Sequence, residues 1–179
     1  CITYFRPPPT HSPAQLDAAR TAGIGGATLY EAMQQHTPDQ IVREIRAKGG
    51  GAIAHEADLA DTSNIPRLFD ICEAELGEVD ILVNNHTYCV QETFDPARVG
   101  GEGILGIRLI DDDGIDAHFA INTRAYALMM REYVKRHLAR RRRPGGDWGR
   151  IINVSTDAAH AHSANVSYAA SKHAIESYS

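Results

Sequence analysis

The chain has 179 residues, of which 43% are hydrophobic and 23% are charged. This length and composition predict one domain that buries a sizeable core. The formal net charge of −5 gives no reason to expect nucleic acid or an acidic membrane surface as a partner. The three cysteines, Cys1, Cys72 and Cys89, are far apart and odd in number, which argues against a disulfide framework.

The sequence contains no candidate targeting or membrane segment. Its apolar runs are shorter than the roughly 20 residues that cross a bilayer. The first residues do not have the pattern of a secretory signal. We therefore expect a soluble cytoplasmic protein without a membrane partner.

The first half of the chain predicts short strands that alternate with helices. Residues 1–4 form a β-like run, and the proline-rich, polar segment 7–36 predicts a loop or an insertion, with room for a short helix. The segment 40–48 predicts a helix that ends at three glycines, and residues 52–57 predict a strand. The amphipathic pattern of residues 64–76 predicts the next helix.

The glycine-rich run from Thr21 to Gly26 has a spacing close to that of a phosphate-binding loop. Such a loop has its physical meaning directly after a hydrophobic strand, where it opens a helix. The residues before this run are proline-rich and then polar. We therefore interpret the run as a chance match.

The second half continues the alternation. Residues 80–84 contain the continuous apolar run 81–83 and predict a buried parallel strand. After an added loop, residues 113–141 predict one long helix, and residues 150–155 predict a strand. Alternating strands and helices predict an α/β fold, with a doubly wound parallel sheet between two helical layers.

Polar residues stand where the predicted strands end. Asp58, Asn84 and Ser155 each follow or close one of these strands. In doubly wound sheets the ligand crevice lies beyond the carboxyl ends of the strands. We therefore expect a binding site at this edge of the sheet.

Tyr168 and Lys172 are four residues apart, so on a helix they lie on the same face. A phenol with a pKa of roughly 10 exchanges protons poorly near neutral pH. A fixed ammonium one turn away favours the phenolate and brings that pKa closer to the working range. With a hydroxyl from Ser155 or Thr156, the pair could protonate a carbonyl or deprotonate an alcohol.

At this point the chain resembles the short-chain dehydrogenase/reductase family. The family has an acid after its third strand, an Asn-Asn-Ala-Gly turn after its fourth, an asparagine in a long helix, and a Tyr-x-x-x-Lys pair. The matching positions are Asp58-Leu59, Asn84-Asn85-His86-Thr87, Asn122, and Tyr168 with Lys172. His86 and Thr87 depart from the small residues of the family turn. The match at the other positions implies a Rossmann-like fold.

The resemblance implies an NAD(P)-dependent oxidoreductase that interconverts a carbonyl and an alcohol on a small-molecule substrate. Tyr168 would transfer the proton, Lys172 would lower its pKa and hold the nicotinamide ribose, and Asn122 would support a proton relay. The cofactor-binding residues implied are Arg6, Asp58, Leu59, Asn84, Asn85, His86, Tyr168 and Lys172. Alternatives on the same scaffold are an NAD(P)-dependent epimerase or dehydratase, and a non-catalytic dinucleotide-binding protein.

The hydroxyl that assists Tyr168 has two candidates. Aligning the strand without gaps places Thr156 at the catalytic position, whereas counting thirteen residues back from Tyr168 selects Ser155. Successive residues of a strand point to opposite faces, so one of the two faces the substrate. We favour Ser155 and keep Thr156 as the alternative.

Arg6 follows the first strand, where the family reads the cofactor's ribose. An acid there selects an unphosphorylated ribose, and a basic residue favours a 2′-phosphate. Arg6 therefore favours NADP over NAD. The resemblance also implies a fold incomplete at both ends, a chain that is inactive alone, and a parent homodimer or homotetramer.

Three histidines in the last third of the sequence raise the hypothesis of a metal site. His160 and His162 are two residues apart, and His173 follows on the predicted catalytic helix. A metal site would need a carboxylate or thiolate cluster beside them. We therefore expect no metal, and place His160 and His162 at the substrate mouth.

Overall fold

The computed structural model describes residues 1–100, 106–140, 148–157 and 164–179. The strands in these ranges are β1 (Ile2–Tyr4), β2 (Ala54–Glu56), β3 (Ile81–Asn84), β4 (Glu92–Thr93), β5 (Arg108–Leu109) and β6 (Arg150–Asn153). The α-helices are α1 (Pro13–Ala22), α2 (Ala27–Gln34), α3 (Asp39–Ala47), α4 (Asn64–Leu76), α5 (Asp112–Phe119), α6 (Tyr126–Ala139) and α7 (Val166–Glu176). Short helical turns at Pro96–Arg98 and Ala120–Ala125 complete the described elements.

The described strands form three parallel pairs. Strand β1 pairs with β2, with Tyr4 opposite Glu56, and β3 pairs with β6, with Asn84 opposite Asn153. The short strands β4 and β5 form the third pair. Parallel pairing across intervening helices confirms the α/β class. Among the described residues, the strand hydrogen bonds join these strands two by two.

The core lies where α4 and α6 cover one face of the β3–β6 pair. Helix α4 contributes an apolar stripe, as its amphipathic pattern predicted. The buried cluster consists of Leu59, Ile65, Leu68, Phe69, Leu82, Ala125, Met129 and Tyr133. At about 25 cal/mol per Å² of apolar surface, such burial is the main favourable contribution to folding.

The opposite face of β3 is exposed, which corrects one prediction. A continuous apolar run predicted a strand buried on both sides, but Ile81 and Val83 are 47% and 54% exposed. Leu82 and Asn84, between and after them, are buried. The strand therefore alternates as a sheet with one covered face does, and Ile152 of β6 extends the exposed face.

The segment 7–36, predicted as a loop or an insertion, contains two helices. Ser12 caps α1 by accepting a hydrogen bond from the Gln15 amide, and Gly23 ends the helix in the left-handed region at φ 63°. The polar pattern that suggested a loop reflects the largely exposed surface of α1. The glycine-rich run from Thr21 to Gly26 thus joins two helices and does not follow a strand.

The long helix predicted at 113–141 is helical from Asp112 to Ala139, with a change of winding in the middle. Asp111 caps its start by accepting a hydrogen bond from the Gly114 amide at 2.7 Å. Residues Ala120–Ala125 form a π-helical stretch, and Asn122 lies within it. Such stretches are frequent at functional sites. No described helix is long and apolar enough to cross a membrane.

Candidate active site

A cavity of about 550 Å³ lies at the carboxyl ends of β1, β2 and β3. Tyr4 lines it from the end of β1 and Phe5 from the next residue, while Asp58 lines it from the segment after β2 and His86 from the segment after β3. Tyr30 of α2 adds to its lining. The cavity therefore occupies the edge at which the strand order predicted a ligand crevice.

Asp58 and Leu59 lie together at this cavity. The Asp58 carboxylate accepts a hydrogen bond from the Ala60 amide at 2.8 Å, and its backbone carbonyl accepts one from the Asn64 side chain at 2.8 Å. Leu59 is 6% exposed and also belongs to the core. The turn after β2 is thus held rigidly with Asp58 at the cavity wall.

Arg6 follows β1, and its guanidinium is engaged by a neighbouring strand. Its Nε lies 3.1 and 3.2 Å from the two Glu56 carboxylate oxygens, and its Nη2 lies 2.6 Å from Oε2. The hydrogen bonds from Arg6 outweigh the effect of burial and lower the pKa of Glu56. A 2′-phosphate would therefore compete with Glu56 for Arg6.

Asn84 and Asn85 have separate surroundings. Asn84 is fully buried, and its amide nitrogen donates to Asn153 Oδ1 at 2.9 Å, across the β3–β6 pair. Asn84 is not among the residues that line the cavity, and Asn85 is exposed. The structure thus gives Asn84 a role in tying two strands together.

The Lys172 ammonium is buried where β3 and β6 end. The residue is 2% exposed, and Nζ donates to the Tyr126 hydroxyl at 2.9 Å and to the Val154 carbonyl at 3.0 Å. The His86 carbonyl is a third, more distant acceptor at 3.5 Å. Burial lowers the pKa of Lys172 to about 8, while the Cys89 thiol acts in the opposite direction.

His86 connects this lysine to the cavity. Its ring lies against the Tyr126 ring, with 4.2 Å between the centroids, and it also lines the cavity. Burial and the Lys172 charge lower the pKa of His86 to about 4, so the imidazole is neutral at pH 7. Its Nε2 is buried without a hydrogen-bond partner among the described residues. A polar ligand atom could satisfy this nitrogen.

Asn122 joins the turn after β3 to helix α7. Its side-chain oxygen accepts from the Tyr88 amide at 2.8 Å, and its nitrogen donates to the Tyr88 carbonyl at 2.8 Å. The same nitrogen donates to the Ser171 hydroxyl at 2.9 Å. Because Ser171 precedes Lys172, Asn122 fixes both segments that surround the ammonium.

Tyr168 lies on the first turn of α7, half-buried, one turn before Lys172. Its ring meets the His118 ring edge-on, with 6.5 Å between the centroids. Ser155, the favoured hydroxyl, donates to Glu176 Oε1 at 2.7 Å, at the far end of α7. Thr156 is half-buried beside it. The structure therefore directs Ser155 away from the helix turn that carries Tyr168.

Sequence reasoning missed two residues that contact the site. Tyr126 binds Lys172, and its spacing of four residues from Asn122 on one helix was a usable signal. Glu56 binds Arg6 from a neighbouring strand, and no local pattern indicates that pairing.

A second buried pair lies beside Tyr168. His118 Nε2 accepts from the Val90 amide at 3.2 Å, and Nδ1 donates to the Gly114 carbonyl at 2.7 Å. These bonds place the ring proton on Nδ1. Glu92, 2% exposed, has its Oε2 3.9 Å from that nitrogen.

The described residues contain no group of three or more histidine, cysteine or acidic side chains that could hold a metal. His173 Nδ1 lies 3.4 Å from Glu176 Oε2 on the same helix. His160 and His162 lie outside the described residues.

Comparisons with known proteins agree on one family. The family profile described as short chain dehydrogenase matches residues 17–179. A short chain dehydrogenase/reductase of Aspergillus aculeatus is 33% identical over 142 residues, which is 78% of this chain and 46% of that protein. A short chain dehydrogenase of Emericella nidulans is 30% identical over 189 residues, which is 94% of this chain and 63% of that protein. The chain therefore spans about half to under two thirds of the length of these relatives.

A solved structure has the same fold. It is a 3-oxoacyl (acyl-carrier-protein) reductase from Agrobacterium tumefaciens with NADP bound. The TM-score is 0.61 at 22% identity, and the match covers 78% of this chain and 47% of that one. At this identity the likeness supports the fold.

Proposed function

Because the chain belongs to the short chain dehydrogenase family, we propose that it acts as an NADP-dependent oxidoreductase that interconverts a carbonyl and an alcohol. The observation that carries the proposal is the position of the Lys172 ammonium. It is buried at the ends of β3 and β6, one helical turn from Tyr168, and touches the His86 carbonyl. His86 in turn lines the cavity. The charge and the phenol are thus one helical turn apart on α7, and His86 links the charge to the ligand cavity.

The residues around the cavity fit the adenosine half of a dinucleotide. A volume of about 550 Å³ lies within the range of small-molecule sites. Asp58 would accept hydrogen bonds from the adenine or its ribose, and the unpartnered His86 Nε2 would bind a polar atom of the same group. Leu59 supplies an apolar surface at the cavity wall.

Arg6 supports NADP as the nucleotide, since a guanidinium binds a phosphate through two parallel hydrogen bonds. The reductase of the same fold from Agrobacterium tumefaciens is the NADP-bound example. Glu56 would have to release part of its contact with Arg6 when the phosphate binds.

In the proposed reaction Tyr168 donates a proton to the substrate oxygen, or removes one from it. The Lys172 ammonium, one helical turn away, would stabilise negative charge on the phenol oxygen during the transfer. Lys172 also holds the nicotinamide ribose, and Asn122 keeps the turn after β3 against α7. The nicotinamide, when bound, supplies the hydride chemistry.

We assign the assisting hydroxyl to Thr156 instead of Ser155. The Ser155 hydroxyl donates to Glu176, eight residues beyond Tyr168 on α7. Ungapped alignment of the preceding strand also selects Thr156. This hydroxyl would donate to the substrate oxygen and orient it beside the phenol.

Binding of NADPH to the 179-residue chain tests the cofactor assignment. Calorimetry measures the affinity, and NMR follows lysine Cε signals in protein made with isotopically labelled lysine. The chain has three lysines, Lys48, Lys135 and Lys172. We expect NADPH to shift the Lys172 signal and to leave the other two unchanged. A folded chain that binds no NADPH would overturn the assignment.

Consumption of NADPH with phenanthrenequinone, a generic carbonyl probe, tests the acid–base residues. In the parent enzyme that the resemblance implies, we expect Tyr168→Phe to remove nearly all of the turnover, while NADPH still binds. Thr156→Val should cause a loss of roughly 100-fold, as losing one transition-state hydrogen bond does. Ser155→Ala is the matched control and should retain activity. Equal losses in the two hydroxyl variants, or turnover retained in Tyr168→Phe, would contradict these roles.

A further inference from the structure

We propose that the Tyr126 hydroxyl is a positioning group that keeps the Lys172 ammonium charged and fixed one helical turn from Tyr168. This inference rests on the proposed function for its role in the reaction. The contact itself is a feature of the chain and can be tested without a cofactor.

The hydrogen bonds around Tyr126 determine which group donates. Tyr126 is fully buried, and its hydroxyl lies 2.9 Å from the His86 carbonyl and 3.2 Å from the Val154 carbonyl. Carbonyls accept only, so the phenol proton points towards them. The hydroxyl lone pairs are then available to Lys172 Nζ at 2.9 Å. Tyr126 therefore acts as an acceptor towards the ammonium.

The ammonium has few other acceptors. Val154 O lies at 3.0 Å and His86 O at 3.5 Å, at the limit of a hydrogen bond. Nζ also lies 4.7 Å from the centroid of the Tyr126 ring, a cation–π distance. Tyr126 thus supplies the shortest hydrogen bond and the aromatic face together.

The described residues place no carboxylate in an ion pair with Lys172. The titratable groups that face it from the segment after β3 are the His86 imidazole and the Cys89 thiol. Tyr126 faces it from α6, and Tyr168, His173 and Glu176 share its helix. Burial and the proximity of Tyr168 raise the pKa of the Tyr126 phenol, so this group stays protonated. The ammonium therefore depends mainly on neutral oxygens.

Loss of the Tyr126 oxygen should lower the pKa of Lys172 directly. Burial already lowers the pKa of Lys172 to about 8. Hydrogen bonds to a charged group favour that charged form, so removing one lowers the pKa of a lysine further. Without Tyr126, Lys172 would lose its proton close to neutral pH, and the positive charge one helical turn from Tyr168 would be lost.

The test is an NMR titration of the lysine Cε signals in the cofactor-free chain. Lys172→Met identifies the Lys172 signal among the three lysines. Tyr126→Phe removes one oxygen and keeps the ring, and we expect the pKa of Lys172 to fall by about one unit. Tyr133→Phe is the matched control, since Tyr133 also lies on α6, is also buried, and donates to the Asp80 carbonyl at 2.7 Å.

Two outcomes overturn the inference. One is a Lys172 pKa unchanged in folded Tyr126→Phe, and the other is an equal fall in Tyr133→Phe. Tyr126→Met, a second apolar replacement, provides the same test if the phenylalanine variant does not fold. Because no NADPH is present, failure of cofactor binding would leave this result intact, and a failure here would leave the cofactor assignment intact.

Discussion

At the scale of single residues, the contact with Glu56 fixes the position of Arg6, the residue that we propose binds the 2′-phosphate. The Glu56 carboxylate accepts from both the side chain and the backbone amide of Arg6. The two side chains are 37% and 33% exposed, so solvent weakens their attraction. The pair therefore orients the guanidinium and remains open to competition from a phosphate.

Glu56→Gln should raise the preference of the chain for NADPH over NADH. A neutral amide holds Arg6 less firmly and no longer repels a 2′-phosphate, so we expect NADPH to bind several-fold more tightly. Calorimetry with both nucleotides gives the dissociation constant of NADH divided by that of NADPH, a ratio that we expect to rise. Glu44→Gln, the same charge change on the exposed surface of α3, is the control. An unchanged or lower ratio in Glu56→Gln would remove Arg6 from the phosphate site.

At the scale of elements, the joined helices α5 and α6 position the site through close packing at their start. Gly114 lies on the first turn of α5, and a Cβ there would overlap the buried Glu92 carboxylate of β4. The Gly114 carbonyl also accepts from His118, whose ring contacts Tyr168. The spacing between α5 and β4 therefore affects the surroundings of the Tyr168 phenol.

Gly114→Ala should lower the free energy of unfolding by about 1–3 kcal/mol, the usual cost of overpacking a filled interior. Urea denaturation followed by circular dichroism gives this difference. Gly25→Ala is the matched control, because no atom lies within 4 Å of a Cβ at Gly25 and its φ is not positive. If both alanine variants were equally stable, the contact between Gly114 and Glu92 would not be tight in solution.

At the scale of the whole molecule, buried groups make stability depend on pH. Burial and the Lys172 charge lower the pKa of His86 from 6.5 to about 4 in the folded chain. Between about pH 4 and pH 6.5, the His86 imidazole binds a proton in the unfolded chain and does not in the folded chain. The contribution of the neutral His86 to the free energy of unfolding is therefore fully present above about pH 6.5 and is lost as the pH falls towards 4.

His86→Gln should flatten the acid side of the stability profile. We expect the wild type to lose on the order of 2 kcal/mol more than the variant between pH 7 and pH 4. Urea denaturation at several pH values gives both profiles, and carboxylates contribute equally to each. His36→Gln removes an exposed imidazole and serves as the control. Parallel wild-type and His86→Gln profiles would show that His86 is not held neutral.

The sequence by itself determined the features that depend on neighbours along the chain. Helix α4 has the predicted bounds 64–76, because its apolar spacing and Gly77 are local signals. The positions of β1, β2, β3 and β6 and the helical spacing of Tyr168 and Lys172 follow from local patterns in the same way. The family motifs indicated the family, which the profile match confirmed.

The tertiary structure decided which partner each site residue has. Arg6 and Glu56 are 50 positions apart, and Lys172 and Tyr126 are 46 apart. Periodicity describes one element at a time, so such pairs become visible only when the strand ends and helices are placed in space. The direction of Ser155 towards Glu176 and the exposed face of β3 depend on packing in the same way. Local patterns set the elements, and long-range contacts set the surroundings of each reactive group.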